Sequence, residues 1–251
     1  MKPWIRWGTT LGLASSALLG SLLITGTQAL ALTKDQILQK LFDVPVFTIT
    51  DKQGSPLVAS SQEGEDGKEV AVAGVFIVRK DAQAFITRLR KSNPELANSV
   101  EISPVRMSEV YELALESREN QENLEFAYVP EEAQVNTAIQ LINQLRRKEN
   151  KAAIEAFNGV PLFAARGGKQ GGYLTVEQDS KQIIPFFFNK GELQLMIDRF
   201  KQEKPDLANT VSIQVLDLEG VLATFREDDN PELDRIWLIP PQESVDFINN
   251  Q

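Results

Sequence analysis

Three stretches of this chain hold residue types that could do chemistry. The first is Phe186-Phe187-Phe188, with Phe225 and the pair Trp237-Leu238 further on. Large apolar side chains of this kind bind by losing contact with water, at about 25 cal/mol per Å² of apolar area before the costs of association. Phe186, Phe188, Phe225, Trp237 and Leu238 are therefore the candidate polypeptide-binding residues, and ordinary core packing is the competing reading for each. The second is acidic: Glu63-Gly64-Glu65-Asp66, and Glu227-Asp228-Asp229-Asn230 with Asp234 nearby. Oxygen ligands this close could hold calcium, but the spacing and the glycine of an EF-hand loop are missing, so a solvated loop is expected. The third is the glycine-rich run Ala165–Tyr173 with Arg166 and Lys169. It lacks G-x-G-x-x-G spacing, and a strand follows it where a phosphate-binding loop needs a helix, so it reads as a hairpin loop.

The chain has neither cysteine nor histidine. Thiol catalysis, Ser-His-Asp triads and the usual zinc sites are thereby excluded. No two acids sit in a clearly apolar setting outside helix surfaces, so no acid–base pair can be located. No ATP or cofactor fingerprint is present, and no enzyme is expected; a hydrolase working with carboxylates alone is the remaining catalytic class. The net charge is −9, which repels phosphate backbones and argues against a nucleic-acid partner.

The elements around these candidates are written twice. The segment from Gly74 to Ile102 aligns without a gap to Pro185 through Ile213, at an offset of 111: Pro94 pairs with Pro205, Leu96 with Leu207 and Asn98 with Asn209. The run ending at Phe47 echoes the one ending at Phe163, and Ala127–Val135 echoes Trp237–Val245. A tandem repeat of about 110 residues builds one pseudo-symmetric body rather than a short-period solenoid. Each copy reads as strand, returning strand, buried strand, amphipathic helix, proline-led turn, strand, short helix and final strand, followed by a helix. In the first copy Ala82, Phe85, Ile86 and Leu89 form the helical stripe; in the second Leu193, Met196, Ile197 and Phe200 do, behind Asn189 as N-cap. The expected fold is α+β, with two tandem pseudo-symmetric repeats and a mixed β-sheet core flanked by helices. The repeat halves run over residues 32–150 and 151–251, as one pseudo-twofold body.

Residues 1–31 are set apart. Lys2 and Arg6 precede the apolar run Leu11–Ile24, and Ala29-Leu30-Ala31 is a small-x-small cleavage pattern. This is the plan of a cleaved export signal, and the run is shorter than the ~20 residues a membrane-spanning helix needs. A soluble, exported protein is expected.

The stretch Val44–Leu57 followed by Gly74–Val100, with its VPVF, G-x-P and P-E-L-A-N elements in that order, resembles the cyanobacterial relatives of the twenty-two-kilodalton intermembrane-space component of the chloroplast import translocon, the Tic system. The match spans essentially the whole mature chain. The second copy departs from it, because Gly54-Ser55-Pro56 has no counterpart near Gly171-Gly172. The resemblance implies hydrophobic pockets like those of secretion chaperones and a location in the periplasm or the thylakoid lumen. It implies as partners unfolded outer-membrane proteins or precursor polypeptides and an Omp85-type assembly factor, with peripheral membrane association compatible. The leading functional expectation is an ATP-independent, chaperone-like protein that assists outer-membrane protein biogenesis or translocation. The alternative is a structural adaptor that contacts the assembly machine and holds no client.

Overall fold

The computed structural model describes residues 11–13, 31–61, 70–120, 122–168 and 171–250. Most of the export-signal stretch, the acidic run Glu63–Asp66 and the tip of the glycine-rich loop (residues 169–170) lie outside the described residues. In chain order the elements begin with β1 (Leu11–Leu13) and α1 (Lys34–Leu41). The start of α1 is a capping box: Thr33 N–H donates to Gln36 Oε1 at 2.9 Å, and Gln36 N–H to Thr33 Oγ1 at 3.3 Å.

The first repeat supplies β2 (Pro45–Asp51), β3 (Val58–Ser61), β4 (Val70–Phe76), α2 (Arg79–Ser92), α3 (Pro94–Ser99), β5 (Val100–Arg106), α4 (Met107–Glu119) and β6 (Leu124–Val129), and α5 (Glu132–Lys148) follows. The second supplies β7 (Pro161–Gly167), β8 (Gly172–Gln178), β9 (Lys181–Phe187), α6 (Lys190–Glu203), a 3-10 turn (Pro205–Thr210), β10 (Ser212–Asp217), α7 (Leu218–Glu227), a 3-10 turn (Pro231–Arg235), β11 (Ile236–Ile239) and α8 (Gln242–Asn249). The α+β reading holds, with the strands in two mixed sheets.

The two sheets are wired alike. β2 pairs antiparallel with β4 and β5, β3 with β4, and β6 joins β4 in parallel. Correspondingly β7 pairs with β9 and β10, β8 with β9, and β11 joins β9 in parallel. β1 adds antiparallel to β8. The central strand changes partners midway in both sheets. β4 pairs with β3 through Ala73 and with β2 from Val75; β9 pairs with β8 through Ile183 and with β7 at Phe187. Gly74 and Pro185, aligned in the repeat, sit at this changeover. A proline lacks the ladder donor, and a changeover between neighbours is where that loss is tolerated.

The compact units do not follow the sequence repeats end to end. One gathers Ile37–Val135 with Pro240–Gln251, the other Met1–Gln36 with Asn136–Ile239. In the first unit Phe47, Ile49, Phe76, Ala82 and Ile86 form a core, and α8 contributes Phe247 to it, edge-on to Phe47 with ring centroids 5.7 Å apart. Ser244 of α8 donates its buried hydroxyl to Ile77 O at 3.1 Å. In the second unit Phe163, Leu174, Phe187, Leu193, Met196, Ile197 and Phe200 are buried together, and α5 contributes Ala138 and Leu141. Thus the helix that follows each repeat's last strand packs in the unit built by the other repeat.

The helices start as their sequences dictate. Asn189 Oδ1 accepts from Gly191 N–H at 2.8 Å and Glu192 N–H at 3.3 Å, capping α6. Asn93 caps α3, with Pro94 in the first turn, and that helix runs through Asn98 to Ser99 rather than stopping at the asparagine. α4 also runs four residues beyond the expected Leu115.

Candidate functional site

The second unit contains an open cavity of about 240 Å³. Its walls come from five places in the chain. β9 presents Ile184 and Phe186, and β10 presents Leu216. α7 presents Val221, Thr224 and Phe225. Leu233 and Ile236 close the far side. Tyr173 of β8 forms part of the wall, and Asp228, Asn230 and Glu232 lie at the mouth.

Each wall is held by local chemistry. Asp217 starts α7 by accepting from Gly220 N–H at 3.0 Å, and Leu218 N–H donates to Val160 O at 2.9 Å. Gly159, at φ +92°, lies so close to this cap that a Cβ would meet Asp217 Oδ1 at 2.2 Å; only glycine fits. Asp217 Oδ1 is itself buried without a hydrogen-bond partner. With the helix start fixed, Leu218, Val221, Leu222 and Phe225 form a buried i, i+3, i+4, i+7 stripe. The helix stops at Glu227, with Asp228 extended, and Asn230-Pro231 bars a return to helix: the residue before a proline avoids the α region, and a proline breaks a helix interior. The released segment folds on its own side chains. Asn230 N–H donates to Asp228 Oδ1 at 2.9 Å, and Glu232 N–H to Asn230 Oδ1 at 3.0 Å. Arg235 then ties the segment down, with Nη1 on Glu232 Oε2 at 2.6 Å and Nε donating to Gln182 O at 3.1 Å.

The Tyr173 wall is equally fixed. Its hydroxyl donates to Gln214 Oε1 at 3.1 Å, and the Arg166 guanidinium sits 5.3 Å from the ring centroid. Its ring lies 5.5 Å from that of Phe186, tilted by 50°. Burial pushes the phenol above its ordinary pKa, against the opposing influence of Arg166 and the Gln214 hydrogen bond, so the group is neutral at physiological pH.

Of the five candidate residues, Phe186 and Phe225 line the cavity, both almost completely buried as walls. Phe188 and Leu238 are also buried but do not line it. Trp237 is half-buried and packs against the core of the second unit. Sequence reasoning missed Tyr173, Val221, Thr224 and Leu233. The signal for the α7 residues was present in the apolar stripe of that helix and in the proline after it; Tyr173 depends on the pairing of β8, which no local pattern reveals. Of the second acidic cluster, Asp228 and Asn230 line the cavity while Glu227, Asp229 and Asp234 do not, and no group of three or more acidic side chains placed to hold a metal ion exists among the described residues. The glycine-rich run connects β7 and β8 as an antiparallel hairpin.

The arrangement can take one large apolar side chain. A cavity of about 150 Å³ suffices for a benzene ring, while sites for drug-sized ligands and cofactors run from about 300 Å³ upward. The walls carry no nucleophile–base pair: the Tyr173 hydroxyl donates to Gln214 and the Thr224 hydroxyl to Gly220 O, and the carboxylates stand at the rim.

No helix among the described residues is long and apolar enough to cross a membrane. The chain is 24% identical over 194 residues to the chloroplastic protein TIC 22 of Pisum sativum, covering 77% of this chain and 68% of that protein. Its fold matches that of Tic22 from Anabaena, a protein-transport protein, with a TM-score of 0.75 and 27% identity over 88% of this chain and 98% of the other. Tic22 from Plasmodium falciparum shares the fold with a TM-score of 0.62, at 21% identity over 85% of this chain and 96% of that one. With the pattern of the Tic22-like family running from residue 12 to residue 250, the chain belongs to that family.

Proposed function

We propose that this protein acts in protein transport by holding extended, unfolded polypeptides at the cavity of its second unit. The observation that carries this reading is the cavity itself: aromatic and aliphatic walls, held rigid by capping and hydrogen bonds, around room for one side chain. Binding of this kind is passive and needs no nucleotide, because burying one apolar side chain is worth about 1.5–3 kcal/mol and releases readily. Several weak engagements in turn suit a protein that must hand its client on. The export-signal pattern of residues 1–31 supports a place outside the cytoplasm, in the periplasm or the thylakoid lumen. There, membrane-destined β-barrel precursors would be the clients and an Omp85-type assembler the recipient.

Aggregation suppression tests this. An unfolded outer-membrane β-barrel protein, diluted from urea, should scatter less light in the presence of the purified protein, without ATP. Undiminished aggregation at several-fold molar excess overturns the holding function. That result would favour an adaptor without clients, for which Leu195, 71% exposed on α6, offers an apolar contact point.

A further inference from the structure

The mouth of the cavity differs in character from its interior, and the difference specifies a ligand. Resting on the reading of the cavity as a polypeptide site, we propose that it selects an apolar side chain flanked in the chain by lysine or arginine, the cation being received by Asp228.

Between Glu227 and Asp234 the chain carries five carboxylates, Glu227, Asp228, Asp229, Glu232 and Asp234. Two of the cavity-lining residues belong to that set, Asp228 and Glu232. They are not equivalent. Glu232 is bound by Arg235, whose Nε is also committed to Gln182 O. Asp228 is exposed, and among the described residues it has no ion-pair partner. Its Oδ1 accepts from Asn230 N–H, which fixes the side chain at the lip of the cavity. A carboxylate positioned in this way beside an apolar recess complements a cation carried next to an apolar anchor.

The geometry of an extended peptide permits the pairing. Successive side chains point to opposite faces, so the residue two positions from the anchor lies on the same face. Lysine and arginine can also lay their apolar stems along the rim while the charged head reaches the carboxylate. The overall charge of −9 would draw such segments in and turn acidic ones away.

Labelled ten-residue peptides with one phenylalanine in a Ser-Gly background, and lysines, glutamines or glutamates two positions before and after it, test the proposal by fluorescence anisotropy with the purified protein. The lysine peptide should bind about 2–5-fold tighter than the glutamine peptide, the scale of an exposed ion pair, and the gap should close with added salt. Asp228→Asn keeps an oxygen for Asn230 N–H and should remove that preference. Glu227→Gln removes the same charge outside the cavity and should leave it. A preference that survives in Asp228→Asn, or is lost equally in Glu227→Gln, overturns the role of Asp228. Equal binding of all three peptides overturns the cation preference and leaves the apolar site standing. No binding of any peptide that carries the phenylalanine overturns the site itself.

Discussion

The short helix before the last strand ends differently in the two repeats, and in the second repeat the cavity lies at that end. At the repeat offset, α4 and α7 begin alike: Met107 matches Leu218 and Val110 matches Val221, all buried. α4 then runs to Glu119. Ser117, 2% exposed, lies within hydrogen-bond distance of the carbonyls of Glu122, at 3.0 Å, and Leu124, at 2.8 Å, and so ties the helix end to β6. The position matching Ser117 is Asp228, where α7 has already stopped. Asn230-Pro231 forbids continuation, the chain turns outward into a 3-10 segment, and an acidic lip stands over an apolar recess. A duplicated scaffold has kept its sheets and changed a helix stop. Strand pairing constrains every residue of the ladder, whereas a helix end on the surface is free to diverge.

If this comparison is right, Phe225 is the residue on which the second version depends most. It is completely buried, at the place where the first repeat has Ala114. Phe225→Ala should lower unfolding free energy by about 3–5 kcal/mol in urea titration. A loss below about 1 kcal/mol would mean that the ring is not the support of the wall.

A second change addresses the closed version. Ser117→Ala removes the hydroxyl that fastens α4 to β6, and should cost about 1 kcal/mol. The same measurement checks it, and an unchanged midpoint would mean that the helix end is held by its backbone alone.

Pro231→Ala attacks the divergence directly. Without the proline, α7 can lengthen toward the extent of α4 and close over the recess. Stability should shift by less than about 1 kcal/mol, while affinity for the phenylalanine peptides falls several-fold. Full affinity in this variant would show that the stop is not what keeps the cavity open.

The smallest expected effect concerns Asp81 of the first repeat, whose counterpart at the repeat offset is Glu192. Lys80 donates to Glu131 Oε1 at 2.5 Å and lies 3.9 Å from Glu243; beside it, Asp81 Oδ2 is buried without a hydrogen-bond partner. Desolvation raises the Asp81 pKa from its ordinary 3.8, with Glu131 and Glu132 adding to the rise and Lys80 and Arg88 opposing it. A carboxyl whose folded pKa is raised binds its proton more tightly when folded. Its stabilising contribution is complete below about pH 3.8 and is lost as pH rises through the folded value. Asp81→Asn should therefore flatten the fall of the stability–pH curve above about pH 3.8, as read by thermal melts. A curve parallel to that of the parent would remove Asp81 from the account.

Much of the scaffold was readable in the residues. The ungapped block fixed the equivalence of the buried strands and amphipathic helices, and Asn189, Thr33 and Pro94 marked helix starts that the structure reproduces. The wall of the cavity was partly readable. Phe186 and Phe225 stood out because aromatic side chains are conspicuous, but the same rule pointed to Phe188 and Leu238, which core packing absorbs. Nothing local distinguishes a wall from a core residue, because both are buried. The exchange of α5 and α8 between units was also hidden, since an apolar stripe states that a helix must be covered and not which sheet will cover it.

Crosslinking from matched positions asks whether clients enter at the cavity of the second unit. A photoreactive amino acid placed at Thr224, in the cavity wall, and separately at Leu113, its counterpart at the repeat offset, would be irradiated with an unfolded β-barrel client. Strong client crosslinks are expected from position 224 and few from position 113, although Leu113 is 51% exposed. Equal yields from both positions, or crosslinks from 113 alone, would contradict entry at the cavity.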